Sequence, residues 1–362
     1  MTEQSQNATS EDVLTRARES DLPVEVIGHS PAGEEIIALR SGGKKGPPIL
    51  ITAGAHGDEP SGTFGALALL EELDTDYATY IVPLRDPFAW NGFDRAVSFA
   101  LQQEVDITEY DQAEEILRSS GQVIFDQDSL LIVTIGSLGF AFKRPGPDTV
   151  GPREIWGLMQ TQLPHFPTVV AELLGKRIIL PSNLHGVEGC GRFNRGYTVF
   201  VTPSGQAGNL NRFFGQATAP PEVRFVMHLF DRIQPGLVLD LHEGQGSAYY
   251  VFASGKYERR ARILAQAMIT SVKNAGYPVA SLAELSHRVT PSLLEGMLDG
   301  GEGVIVADLG GGDAGKSLAT YTERPSVGFT CETGRWTSLA SRVAQQVAAV
   351  QGTVLQYETM LA

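Results

Sequence analysis

The stretch Ile49-Leu50-Ile51-Thr52-Ala53-Gly54-Ala55-His56-Gly57-Asp58-Glu59 constrains this chain more than any other. It opens with a short apolar run of strand-like composition. A glycine-bearing turn follows and presents a histidine and a glutamate three residues apart. Pro60-Ser61-Gly62 then leads into Phe64, Ala66, Leu67, Leu69, Leu70 and Leu73, an apolar run at helical spacing. A strand handing over to a helix is where an open α/β sheet puts its site. An imidazole nitrogen with a carboxylate oxygen is a ligand pair suited to zinc.

A motif this short is weak alone, and the chain carries a second copy. His185 and Glu188 lie in Asn183-Leu184-His185-Gly186-Val187-Glu188, after Ile178-Ile179-Leu180-Pro181. No amphipathic helix follows that copy, so His185 reads as a loop histidine. A catalytic zinc needs three protein ligands and one open position. Leu237-Val238-Leu239-Asp240-Leu241-His242 is a strand bounded by Gln234-Pro235-Gly236 and Glu243-Gly244-Gln245-Gly246, with His242 at its end. His56, Glu59 and His242 are therefore the candidate ligands. Zinc hydrolysis further needs a proton shuttle and a substrate anchor. Glu332, within Val327-Gly328-Phe329-Thr330-Cys331-Glu332-Thr333-Gly334-Arg335, supplies a carboxylate on a late strand. Arg212, beside Asn211, supplies a guanidinium whose fork matches a carboxylate.

In that order, His56-x-x-Glu59, Asn211-Arg212, Asp240-Leu241-His242 and Glu332 resemble the zinc carboxypeptidase superfamily, and within it the succinylglutamate desuccinylase and aspartoacylase branch. Val26–Ile36 resembles the entry hairpin of those proteins, and Ile81–Phe88 their second-strand turn. The resemblance covers residues 22–98 and 190–362. It implies a three-layer α/β/α fold with a mixed central sheet, one zinc, and hydrolysis of an amide beside a carboxylate. It further implies that His56, Glu59 and His242 hold the metal. Glu332 would be the general base, and Asn211 and Arg212 would grip the substrate carboxylate. Arg195 would polarise the scissile carbonyl, with Arg192 as the alternative, and Tyr321 is the tyrosine placed for a site role. One position departs from the pattern. Asn209 stands where the family carries an aspartate that orients a zinc histidine, with Asp58 a candidate to compensate.

The rest of the chain sets limits. With 42 acidic against 28 basic residues and a net charge of −14, nucleic acid and anionic membranes are poor partners. The expected partner is a small molecule or short peptide bearing a carboxylate. Two cysteines, Cys190 and Cys331, make no disulfide framework and read as buried thiols. The polar N-terminus is unlike a signal peptide, and no apolar run is long enough to span a bilayer. A cytoplasmic location is the default expectation.

The sequence divides into a first catalytic part at 1–98, an inserted subdomain at 99–190 and a second catalytic part at 191–362. The insert is too apolar for a disordered linker. Expected within it are a helix Glu109–Arg118 capped by Thr108, a strand Ser129–Ile135 and a helix Gly151–Gln162. It reads as packed near the site mouth, or equally as a contact within a homo-oligomer. Two functional classes follow. One is a zinc-dependent amide hydrolase, either an N-acyl-amino-acid deacylase or a carboxypeptidase. The other is a non-catalytic metal- or ligand-binding relative, which would have no need of Glu332.

Overall fold

The structure is a computed structural model and describes residues 7–127, 130–143, 151–182, 186–254, 258–286, 297–307, 315–322 and 326–362. The strands are, in chain order, β1 (Val24–His29), β2 (Glu35–Ser41), β3 (Lys45–Ala53), β4 (Tyr77–Val82), β5 (Gln122–Gln127), β6 (Leu130–Ile135), β7 (Leu138–Lys143) and β8 (Arg177–Pro181). They continue with β9 (Gly196–Val201), β10 (Ala207–Asn209), β11 (Leu237–Gly244), β12 (Tyr250–Ala253), β13 (Leu298–Gly301), β14 (Val304–Val306) and β15 (Val327–Gly334).

Successive residues of a strand face opposite sides of its sheet, and the central strands use both sides. Ile49, Ile51 and Ala53 of β3 join Leu237, Leu239 and Leu241 of β11 and Phe329 and Cys331 of β15 in one core cluster. Over it lie helices Ser10–Arg18, Pro60–Glu72, Arg259–Asn274 and Leu339–Leu361. The intervening Leu50 and Val238 face the other way, into a cluster with Val223, Val226 and Leu229 of helix Pro221–Ile233. The result is three layers around a nine-stranded mixed sheet of order β1-β2-β4-β3-β11-β15-β12-β14-β13. β3, β11 and β15 run parallel side by side, and β12 returns antiparallel to β15. The connection leaving β3 goes to β4 on one side, whereas β11 adjoins β3 on the other. The carboxyl ends of β3 and β11 thus flank the crevice that such sheets use for ligands.

A second, six-stranded sheet has the order β10-β9-β8-β7-β6-β5. Its two faces carry separate cores, one under helices Pro152–Gln162 and Pro167–Leu173, the other under Phe93–Leu101 and Tyr110–Ser120. This sheet runs on past residue 190. β9 and β10, expected to belong to the returning catalytic part, pair here instead, with Leu180↔Tyr197 and Ile178↔Val199 in register. Their apolar side chains complete the face that Ile178 and Leu180 begin, which is why they join it. The helix expected from Glu109 begins at Tyr110, and Thr108 does not cap it. The backbone and hydroxyl of Thr108 both donate to Gln112 Oε1, at 3.1 and 3.4 Å. His185 and the segments 144–150 and 308–314 lie outside the described residues. Among the described residues, no helix is long and apolar enough to cross a membrane.

The two sheets are joined through buried charge. Arg177 of β8 lies 3.3 Å from Asp86, which follows β4, and pairs with Glu222 on helix Pro221–Ile233. Thr198 of β9 accepts from the same guanidinium and donates to Asp86 at 2.6 Å. Removing one member of a buried pair leaves the others uncompensated, at a cost of about 3–5 kcal/mol. Arg177→Met is expected to lower stability by about that amount, read as a fall in the urea midpoint. An unchanged midpoint would mean that this junction does not hold the sheets together.

Candidate metal centre

Strand alternation decides which polar groups meet. Asp240 and His242 share the parity of Val238, so they point away from the core cluster of Leu239 and Leu241. In the parallel ladder Asp240 lies opposite Thr330, and His242 opposite Glu332. Glu59 is the N-cap residue of helix Pro60–Glu72, yet its side chain makes no cap bond. Its carboxylate is left for the site. His56, Glu59 and His242 are all buried and each offers a ligand atom, the three lying within 4.8 Å of one another.

His242 is held from behind. Asp240 Oδ2 accepts from His242 Nε2 at 2.8 Å, and Asp240 is itself fixed by Thr52 Oγ1 at 2.7 Å and Arg85 at 3.3 Å. That contact assigns the Nε2 proton and leaves Nδ1 facing Glu59 Oε2 at 2.8 Å. Asn211 Nδ2, at 3.2 Å from the same Nε2, is a neighbour rather than a second acceptor. Burial opposes a charge on His242, but the Asp240 and Glu59 carboxylates lift its pKa to about 10. His56 goes the other way, and burial drives it well below the usual range, so it is neutral. Its Nδ1 is buried without a hydrogen-bond partner. Two imidazoles and one carboxylate, with a ligand-competent nitrogen unsatisfied, fit a divalent cation of the zinc type.

The other carboxylates in the interior explain the importance of Glu332. Asp58 faces Arg335, Glu59 faces Arg153, Asp86 and Glu222 face Arg177, Asp240 faces Arg85, and Glu243 faces Arg342. Among the described residues, Glu332 alone of the buried acids has no ion pair, and its Oε2 has no hydrogen-bond partner. Burial pushes its pKa up to about 7, Glu59 adds to the rise, and His242 and Arg153 oppose it. A buried acid with such a shift beside a ligand cluster marks a functional site. Glu243 has the opposite parity and is tied to Arg342 and to the backbone N–H of Ser61 at 2.6 Å.

Of the expected substrate groups, the structure brings Arg212 to the cluster. Burial lowers its pKa, while Tyr197, Glu332 and Asp240 act on it in the other direction. Its Nη1 donates to Asn211 O at 2.7 Å. The amide oxygen of Asn211 is occupied by Leu318 N at 2.9 Å, so this side chain braces the site. Arg195 is not brought to the cluster. It is buried against the N-terminal segment, donating to Trp90 O at 2.8 Å and Ala8 O at 3.0 Å with its guanidinium over the Trp90 ring. Arg192 pairs with Glu109 instead. Tyr321 packs against Phe214 and Phe230 and is drawn to Asp231, away from the ligands. Asn209 gives its amide to Tyr197 and its oxygen to Asn211 N, and orients no histidine. Asp58 does not substitute for it, because it faces Arg335.

Two residues that sequence reading missed complete the centre, both from the second sheet layer. Arg153 donates to Glu59 Oε1 and to Glu243 O, each at 2.7 Å. Tyr197 stacks on His56. Arg153 had a signal. It follows Pro152 in the first turn of a helix, where the dipole disfavours a cation. Tyr197 had none, since a tyrosine in an alternating strand reads as core.

No known family matches the chain by sequence, and no curated protein does. Solved structures do match. A candidate metallopeptidase of Shewanella denitrificans superposes with a TM-score of 0.52 at 13% identity, over 97% of this chain and 91% of its own. A candidate metallopeptidase of Shewanella amazonensis gives 0.46 at 16% identity, over 98% and 92%. A metallo-carboxypeptidase of Burkholderia cenocepacia gives 0.47 at 13% identity, over 97% and 69%. At these identities the likeness is one of fold. The mixed three-layer architecture implied by the sequence resemblance is the one found, and the likeness does not single out the desuccinylase and aspartoacylase branch.

His56→Ala and His242→Ala are each expected to remove most bound metal, measured by elemental analysis of the purified protein, while His185→Ala keeps it. Metal lost with His185 and retained without His56 would place the ligands in the second motif.

Proposed function

We propose that this chain is a zinc-dependent amide hydrolase acting beside a substrate carboxylate, with an N-acyl amino acid as the favoured substrate class. Glu332 carries this reading: among the described residues it is the buried acid without an ion pair, and it lies in register with His242. A non-catalytic metal binder has no use for a carboxylate held in that state.

His56, Glu59 and His242 would hold the metal. Zinc bound there would acidify a water molecule and polarise a carbonyl. Glu332 Oε2 takes a proton from the attacking water and returns it to the leaving nitrogen. An acid with a pKa near the working pH suits both transfers. Arg212 donates its remaining N–H groups to the substrate carboxylate. Arg153 takes the role first expected of Arg195. Its guanidinium adjoins the ligand cluster through Glu59 and would donate to the acyl oxygen. The 99–190 segment, on this reading, is the part of the wall that delivers it.

Glu332→Gln keeps size but cannot accept a proton. Turnover is expected to fall by about 10²–10⁴-fold, with zinc content and substrate affinity near those of the parent. Zinc loss on this change would make Glu332 a ligand, and unchanged turnover would move the base elsewhere.

Arg212→Ala removes a charge-assisted contact worth on the order of 2–4 kcal/mol. The expected loss in kcat/KM is roughly 30- to 1000-fold, measured on a panel of N-acyl amino acids and short peptides with free carboxyl ends. The same panel shows on which side of the amide the carboxylate lies. Full efficiency in a zinc-loaded Arg212→Ala protein would remove the anchor.

A further inference from the structure

We propose that Tyr197 is a positioning residue whose ring, stacked on His56, sets the plane in which that imidazole meets the metal. This rests on the zinc reading above. The rings lie with centroids 4.5 Å apart and planes inclined by 22°. Tyr197 is buried on β9, which belongs to the second sheet, while His56 belongs to the loop after β3. The stack is therefore a contact between the two halves of the molecule, made at the metal centre.

A metal-bound histidine ordinarily donates its outer N–H to a carboxylate or carbonyl, which fixes the ring. Neither Asn209 nor Asp58 bonds the His56 ring, whose Nδ1 is buried without a partner. Asn209 gives Nδ2 to the Tyr197 hydroxyl at 2.7 Å and receives Asn211 N on Oδ1 at 2.9 Å. Asp58 faces Arg335 at 3.3 Å. Ring orientation then falls to the stack. Tyr197 is itself fixed, by Asn209 at its hydroxyl and by Trp156 at 6.3 Å, whose indole donates to Ala207 O at 2.6 Å. The backbones beside both rings are also in close contact. A Cβ on Gly57 would come within 2.5 Å of Ala89 O and 2.8 Å of Gly196 O, so the chain next to His56 cannot draw away from the chain next to Tyr197 without losing that fit. An asparagine where the related pattern has an aspartate thus goes with a different support: the amide holds a tyrosine, and the tyrosine holds the histidine.

The test is zinc affinity of the full chain, by competition with a chromophoric chelator, for the parent, Tyr197→Phe and Tyr197→Leu. Phenylalanine keeps the stacked face, so its Kd is expected within about threefold of the parent. Leucine removes the stack and is expected to weaken zinc on the order of tenfold. The visible spectrum of the cobalt-substituted protein should change with leucine and not with phenylalanine. A parental Kd in Tyr197→Leu overturns the proposal, and so does a Phe variant as weak as Leu, which would assign the effect to the hydroxyl. Tyr197→Met replaces the Leu variant if near-ultraviolet circular dichroism shows the latter unfolded. If neither folds, the cobalt spectrum of Tyr197→Phe decides, an altered one overturning the proposal and an unaltered one supporting it. A parent that binds no zinc defeats the hydrolase reading, whereas a zinc-binding parent with an indifferent Leu variant defeats this inference alone.

Discussion

An aspartate and a histidine two residues apart on one central strand govern how the interior of this protein is arranged. Asp240 and His242 share a face of β11, and burying them there requires everything around them to answer in kind. Thr52 and Arg85 satisfy Asp240, and Asp240 in turn fixes the proton on His242. Arg85 drives Asp240 down to about 2 in spite of its burial, so it stays charged. A buried carboxylate without such partners would take up a proton and release the imidazole. The ligand face of the sheet is thus set by electrostatics before any metal is considered.

The same rule, applied acid by acid, divides structure from chemistry. In the interior Arg85, Arg153, Arg177, Arg335 and Arg342 are each matched to a buried acid. Such pairs add little net stability but make the loss of either partner costly. Glu332 stands outside the scheme, and the protein tolerates its burial because the group can be neutral near pH 7. Parity explains why Glu243, one residue from His242, is no rival. It points into the opposite layer, where Arg342 holds it.

What was legible in the sequence was local. His56 and Glu59 were readable because a strand, a turn and a helix follow one another without interruption. His242 was readable because it closes an apolar alternating run, although β11 itself continues to Gly244. The ordering of these motifs carried the fold. Arg195 and Tyr321 are expected at the site only through the resemblance, and a resemblance does not fix where a side chain points. Arg195 follows Asn194 into the N-terminal segment, and Tyr321 lies on a helical turn against Phe214. Arg153 and Tyr197 were invisible for the converse reason. Each reaches the ligands through packing between two sheets, which leaves no periodic trace in the chain. The pairing of β9 and β10 with the second sheet left no trace either, since an apolar strand does not state its neighbour.

The candidate metal ligands are far apart along the chain: Glu59 and His242 are separated by 183 residues. At a synthesis rate of ~5–20 residues per second, the first half of the ligand set exists for roughly 10–40 s before the second is made. During that time His56 and Glu59, two of the three candidates, would offer an incoming cation only a partial grip. Tyr197 is made before His242, and Glu332 after it. Contacts of such long range form late, because the intervening chain must be ordered first. Metal capture at full strength would therefore need the chain made well past β11, and a nascent or truncated product ending before it would have neither His242 nor Glu332.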